Sequence, residues 1–274
     1  MNPNKYSITF SCYNSVNYTK MCIESLLNSK TPLSRLVVVD NGSSDGTIEY
    51  LNSISLGGVV RNSKNYGCGV AWNQGALYQQ AEWSIIMNND VVVSDNWVES
   101  LITTAEVNQL KIISPSLIEG PMDYDFIKFF NHDAPKMKEV LRAGKAHAVC
   151  VAVHESVWMD IGFFRPTPNL WGFEDSLFFH AARKASIPIA ITGSSWLHHF
   201  GSITQSQMKK ERNMSIKQGL TGRFNYRLLN ETWIERKLRQ HKNKVSDLFY
   251  RDSELKKFGM TLHGIRNTGG FEWL

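Results

Sequence analysis

Apolar runs, polar turns and amphipathic stretches alternate through the first hundred residues. Tyr6–Cys12 is a β-rich run that stops at Tyr13-Asn14, and Asn17–Ser29 follows with Met21, Ile23, Leu26 and Leu27 at helical spacing. Leu36–Val39 is wholly apolar and stops at Asp40. The cluster Asn41-Gly42-Ser43-Ser44-Asp45-Gly46 then predicts a turn, with a helix from Thr47. Gly58–Arg61 predicts a third strand, leading through Asn65-Tyr66-Gly67 into a helix that reaches Gln80. Trp83–Met87 predicts a fourth, ending at Asn88-Asn89-Asp90. Strand, loop and helix therefore repeat as βαβ units, the pattern of an α/β fold with a largely parallel sheet.

The second half is less regular. Glu119 to Arg142 mixes aromatics, charges and Pro, and reads as a long surface excursion. Lys145–Val153 returns as a strand, Gly172–Ser186 reads as a helix with Glu174 and Asp175 in its first turn, and Ile187–Thr192 reads as a strand. Gly193–Ser202 is expected to be a loop containing His198-His199. From about Gln205 the chain is helical in pattern, basic and aromatic, and Gly259–Leu274 carries no clear element.

The polar residues sit where the strands end. Asn14, Asp40, Asn65 and Asp90 each follow an apolar run. In an open α/β sheet the ligand crevice lies outside the carboxyl ends of the strands. One Asn or Asp there is commonly a helix cap or a turn residue. Four in equivalent places predict a shared crevice.

Composition narrows the classes. The chain has 274 residues, 42% hydrophobic and 20% charged, which suits a folded domain and excludes collagen, coiled coil and disorder. No apolar run approaches the roughly 18 residues of a membrane helix, and Lys5 is followed by no apolar leader. The expected location is cytoplasmic, at most peripheral to the inner face of a membrane. Four scattered cysteines without a CxxC pair predict reduced thiols. Charge is uneven: residues 1–204 carry 15 Lys/Arg against 18 Asp/Glu, and residues 205–274 carry 15 against 7. The chain divides on this basis into a mildly acidic body, 1–204, and a basic, mostly helical extension, 205–274, suited to docking on a polyanionic surface.

Several motifs, in order, carry a resemblance. Ser11-Cys12-Tyr13-Asn14, Val37–Asp40 with Asn41–Thr47, and Asn62–Gly67 running into Asn73-Gln74-Gly75 resemble the opening of family 2 glycosyltransferases. Asn88-Asn89-Asp90 resembles a variant of the family's DxD metal motif, Trp171–Asp175 its ED motif, and His198–Ser202 its histidine motif. The likeness covers residues 6–204 and implies a GT-A fold, a Rossmann-like, mostly parallel sheet flanked by helices. It further implies transfer of a sugar from a nucleotide diphosphate sugar, with UDP the expected nucleotide, to a hydroxyl of a glycan or lipid-linked glycan.

The resemblance also assigns roles. Ser11, Tyr13, Asn14, Asp40, Asn65, Gly67, Asn88 and Asn89 would bind the donor. Asp90 and His198, with His199 as the alternative imidazole, would hold Mn²⁺ or Mg²⁺ against the diphosphate, the imidazole favouring Mn²⁺. Asn88 stands where the family usually has the first aspartate of DxD. Asp175 would be the base that takes the acceptor's proton, with Glu174 as fallback, and a single base implies inversion at the anomeric carbon. Trp171 and Gly172 would face the acceptor. Two other readings stay open from the sequence: the same chemistry on a modified DNA base, motivated by the basic tail, and a non-catalytic protein that binds nucleotide sugars or polyanions. No GxGxxG or Walker motif supports a dehydrogenase or an NTPase.

Overall fold

The apolar runs of the N-terminal third become the centre of a sheet. In the computed structural model, which describes residues 5–167, 172–201, 203, 208 and 228–274, β1 (Tyr6–Cys12), β2 (Leu36–Asp40), β3 (Gly58–Arg61) and β4 (Trp83–Asn88) run parallel in the order β3-β2-β1-β4. The connections carry α1 (Val16–Asn28), α2 (Thr47–Asn52) and α3 (Cys68–Tyr78). Pairing sets Ser11 beside Asn88, Cys12 beside Asp40 and Asp40 beside Arg61, so the four strands end level. Residues adjacent along a strand point to opposite faces. Ile85 and Met87 therefore join α1 and α4 (Trp97–Val107) in one apolar layer, and Ile86 joins α3, α6 (Glu155–Ile161) and α7 (Glu174–Lys184) in the other.

Beyond β4 the sheet becomes mixed. β8 (Cys150–His154) is antiparallel to β4, and β6 (Ile112–Glu119) is antiparallel to β8. β9 (Ile189–His199) runs parallel to β6, with a bulge between Pro115 and Ser116, while the short β5 (Val91–Val93) and β7 (Leu141–Ala143) lie antiparallel to β9. β9 outlasts the apolar run that predicts it. Trp196–His199 pair with Ser116–Glu119 past the bulge, so His198 and His199 are strand residues rather than loop residues.

The stretch from Glu119 to Arg142 is packed, not draped over the surface. Phe126 and Phe129 of α5 (Phe126–His132), with Met137, form a third apolar cluster with Trp196, Met260 and Leu262. The last residues also differ from the expectation of a helical tail. After α8 (Trp233–Phe258) the hairpin β10 (His263–Asn267) and β11 (Gly270–Trp273) joins the main sheet, β10 running parallel to β6. Most of 205–227 lies outside the described residues. All four cysteines are free and three are buried.

Candidate active site

Where β1, β2 and β4 end, their turns are pinned to one another. Asn14 and Ser15 both take left-handed backbone, at φ 53° and 63°. Asn14 Oδ1 accepts the Ser44 amide at 2.9 Å, and the Asn14 amide donates to Ser43 Oγ at 2.8 Å. Asp45 caps α1 from the neighbouring turn, accepting the Val16 amide at 2.8 Å. Both carboxylate oxygens of the buried Asp40 accept the Ser43 amide, at 3.2 and 3.3 Å. Asn41 continues the scaffold, receiving Asn62 Nδ2 at 2.8 Å and donating to the Gly67 carbonyl at 3.3 Å. Gly67 itself sits at φ 91° before α3, and Asn65 Oδ1 accepts its amide at 2.9 Å.

These turns surround a cleft of about 320 Å³, within the range of small-ligand sites. Ser11, Tyr13, Asn65, Gly67, Asn88, Asn89, Asp90, Gly172, Glu174 and Asp175 all line it, bringing most of the residues singled out in the sequence to one place. Asp40, Asn14 and His198 are not among the lining residues. Asp40 and Asn14 hold the turns just described. Trp171 lies outside the described residues.

The two histidines part company because they are consecutive in a strand. His198 is fully buried among Tyr124, Phe126 and Phe200, with Nδ1 3.0 Å from the Tyr124 hydroxyl. Burial lowers its pKa to about 4. His198, the expected metal ligand, thus faces away from Asp90, and His199 lies beside Asp90 instead. His199 Nε2 lies 3.3 Å from Asp90 Oδ1 and 3.3 Å from Asn88 Nδ2, and Nδ1 lies 3.1 Å from Glu119 Oε1. The other oxygen of Glu119 meets His263 Nε2 at 3.1 Å. Burial alone would lower the pKa of His199. Hydrogen bonds to Asp90 and Glu119 outweigh it and raise its pKa to about 9. Hydrogen bonds from His199 and His263 hold Glu119 well below the usual carboxylate range.

The opposite lip is the start of α7. Gly172 at φ 91° and Phe173 at φ 87° turn the chain sharply before the helix, a strained conformation for a residue with a side chain. The turn sends Glu174 inward, where it accepts Thr167 Oγ1 at 3.1 Å and sits 3.9 Å from Cys68 Sγ. Gly69 makes room for it, since a Cβ there would lie 2.7 Å from Glu174 Cγ. Asp175 is half-buried and accepts the Ser176 amide at 2.7 Å. Burial raises the pKa of both carboxyls.

Among the lining residues that sequence reasoning left out are two titratable ones, Glu119 and His147. Glu119 ends the buried strand Ile112–Glu119, but Ser114-Pro115-Ser116 interrupt its apolar residues, which hides that strand end in the sequence. His147 precedes β8, which is antiparallel, so its amino end reaches the cleft and a search of carboxyl ends misses it. Its Nε2 lies 2.8 Å from the Pro115 carbonyl, and burial lowers its pKa to about 4.

A curled mixed sheet with a polar cleft at the ends of its parallel strands is the GT-A architecture of glycosyltransferases. The model of Glycosyl transferase family 2 matches residues 7–159, and the chain belongs to that family. GlyG, a glycosyltransferase of Streptococcus pneumoniae, is 22% identical over 111 residues, covering 39% of this chain and 37% of GlyG. The structure of S. aureus TarS in complex with UDP-GlcNAc superposes with a TM-score of 0.54 at 17% identity, over 71% of this chain and 58% of that one. GalNAc-T7 with UDP, GalNAc and Mn²⁺ gives 0.56 at 14% identity, over 72% and 44%. These likenesses show the fold, and the chain spans less than two thirds of each of these proteins.

Proposed function

We propose that the chain moves a sugar from a nucleotide diphosphate sugar to a hydroxyl of a glycan or lipid-linked glycan, with inversion. The observation that carries this reading is the pairing of two unlike lips on one cleft. Asp90 and His199 form one lip, and Asp175, a half-buried carboxylate of raised pKa, forms the other. UDP is the expected nucleotide, a choice supported by the UDP bound to GalNAc-T7 and the UDP-GlcNAc bound to TarS.

The donor set suits a hard or borderline divalent cation. One carboxylate and one imidazole face each other at 3.3 Å, and among the described residues no group of three or more His, Cys, Asp or Glu is arranged to chelate. The remaining ligands would be diphosphate oxygens. Asp90 and His199 would hold Mn²⁺ or Mg²⁺, and the ion when bound neutralises the charge that develops on the leaving diphosphate. His199 must give up its Nε2 proton to ligate, with Glu119 orienting the ring from Nδ1. Ser11, Tyr13, Asn41, Asn65 and Gly67 form the wall for the nucleoside, and Asn88 and Asn89 the floor beneath the sugar phosphate. Asp175 takes the proton of the attacking hydroxyl. Glu174, engaged by Thr167 and Cys68, fixes the turn that presents Asp175.

The test is a thermal-shift screen of UDP-, GDP-, dTDP- and CMP-sugars, each with and without Mn²⁺. A ligand that binds the native state raises the melting temperature with its affinity. A metal-dependent rise with one donor is the expected result, followed by transfer to glycan acceptors. Absence of a rise with every donor would overturn the reading.

A further inference from the structure

α8 is an amphipathic helix mounted with its apolar side outward. Its 26 residues begin at a capping box, Thr232 with Glu235, and end at Gly259, at φ 69°. Such a helix normally buries its apolar stripe against the body. Here the body meets polar groups one or two turns apart. Lys145 reaches the Asn243 carbonyl at 3.5 Å and Asp247 at 2.7 Å, Tyr250 donates to the Ala143 carbonyl at 3.2 Å, and Glu254 pairs with Arg142 at 2.7 Å. At 100° per residue these four positions cluster on one side. Ile234, Leu238, Val245 and Phe249 fall diametrically opposite, and all four are 52 to 68% exposed.

Charge then says what covers the stripe. The acidic groups of α8 are each engaged: Glu235 in the cap, Asp247 with Lys145, Asp252 with Arg251 and Glu254 with Arg142. Lys237, Lys242, Lys244 and Lys256 are exposed and have no ion pair among the described residues. Lys237 and Lys244 rim one edge of the stripe and Lys242 the other. An apolar stripe edged by lysines is the pattern of a helix lying in a membrane interface. A second copy of α8 would bring two lysine rims together. A nucleic acid backbone would meet the lysines but leave the apolar residues exposed. No described helix is long and apolar enough to cross a membrane, so α8 would lie along the surface.

We propose that the outer face of α8 docks the protein on an anionic lipid surface, with Ile234, Leu238, Val245 and Phe249 entering the headgroup layer and the lysines meeting lipid phosphates. The inference goes beyond the transferase reading and does not rest on it. The test is co-flotation of the full chain with vesicles of phosphatidylcholine and phosphatidylglycerol, 3:1, against phosphatidylcholine alone. The expected result is at least about tenfold stronger partitioning to the anionic vesicles, weakened by salt. Leu238→Glu with Phe249→Glu should reduce it at least about tenfold. Both positions are exposed and outside the cleft, so the melting temperature should hold, and Lys237→Glu with Lys244→Glu should reproduce the loss without touching the apolar stripe. Equal partitioning to both vesicles, no flotation, or undiminished binding by the Glu variants would overturn the proposal. So would a dimer in sedimentation equilibrium that Leu238→Glu dissolves, or duplex DNA binding that Lys237→Glu with Lys244→Glu abolishes.

Discussion

Burial makes Asp175 a stronger base than a surface aspartate, because the charged carboxylate is desolvated. A base acts in its ionised form, so the rate should fall as pH drops through a pKa above the usual carboxylate range. Asp175→Asn is expected to keep donor binding and to lose about 100- to 10,000-fold in kcat. Near-normal turnover would remove Asp175 from this role. The histidine pair divides by a different logic. His199→Ala should abolish the metal-dependent donor shift, whereas His198→Ala should keep it and lower only thermal stability, by about 1–3 kcal/mol. Equal effects on the shift would contradict the assignment to His199. The sequence motif brings both imidazoles to the strand end and cannot choose between them, since only the register of β9 decides which faces Asp90. His199 also sets a pH dependence in the metal-free protein. Its folded pKa of about 9 lies above the ordinary 6.5, so its contribution is complete below pH 6.5 and is lost as pH rises through 9. Glu119 is shifted the other way, so its contribution is present above the ordinary carboxylate value and fades as pH falls. The groups facing them are Asp90, Asn88 and His263. Melting temperature against pH should therefore decline from pH 6.5 to 9, and Glu119→Gln should flatten that decline. A profile identical to the parent's would count against the coupling.

At the scale of elements, the site depends on how closely two helices approach. α3 passes the start of α7 at Gly69, where an added methyl would collide with the Glu174 stem. Glu174 is buried and bonded, so it has little room to yield. Gly69→Ala is expected to cost about 1–3 kcal/mol in urea unfolding. It should lower kcat more than that loss alone implies, because moving Glu174 moves Asp175. Intact kcat in a destabilised variant would separate the helix contact from the site. The alternation of strands and helices up to Asp90 was legible because each βαβ unit buries its own apolar run and shows it in sequence. The later elements were not, for identifiable reasons. Gly193-Ser194-Ser195 reads as a turn and is indeed left out of the pairing with β6, yet β9 resumes beyond it, because Ser116 follows Pro115 directly and takes Trp196 as its partner where Pro115 takes Thr192. Phe126 and Phe129 are interleaved with charges, yet they are buried by Trp196 and Leu262, which are distant in sequence.

Over the whole molecule, the C-terminal residues complete the sheet that carries the site. β10 lies along β6, and His263 on β10 holds the Glu119 that orients His199. The basic composition of 205–274 suggests an appendage, because net charge carries no sign of the hairpin that joins β6. The join is sealed by a buried ion pair. Arg142 meets Glu254 through two bonds, 2.7 and 2.9 Å, and donates a third to the Leu274 carbonyl at 2.9 Å. Glu254 in turn accepts the Leu262 amide at 2.9 Å. Both side chains are under 10% exposed, so removing one partner strands a charge in an apolar setting. Arg142→Met is expected to destabilise the fold by about 3–5 kcal/mol. Adding Glu254→Gln removes the stranded charge while retaining an acceptor for the Leu262 amide, so the double variant should recover part of the loss. The double-mutant cycle in urea reads the coupling directly. If the C-terminal segment were a dispensable arm, Arg142→Met would leave the main unfolding transition unchanged and release only that arm to protease. If it completes the sheet, the variant should unfold in one cooperative step at lower urea, and the metal-dependent donor shift should disappear in that same step.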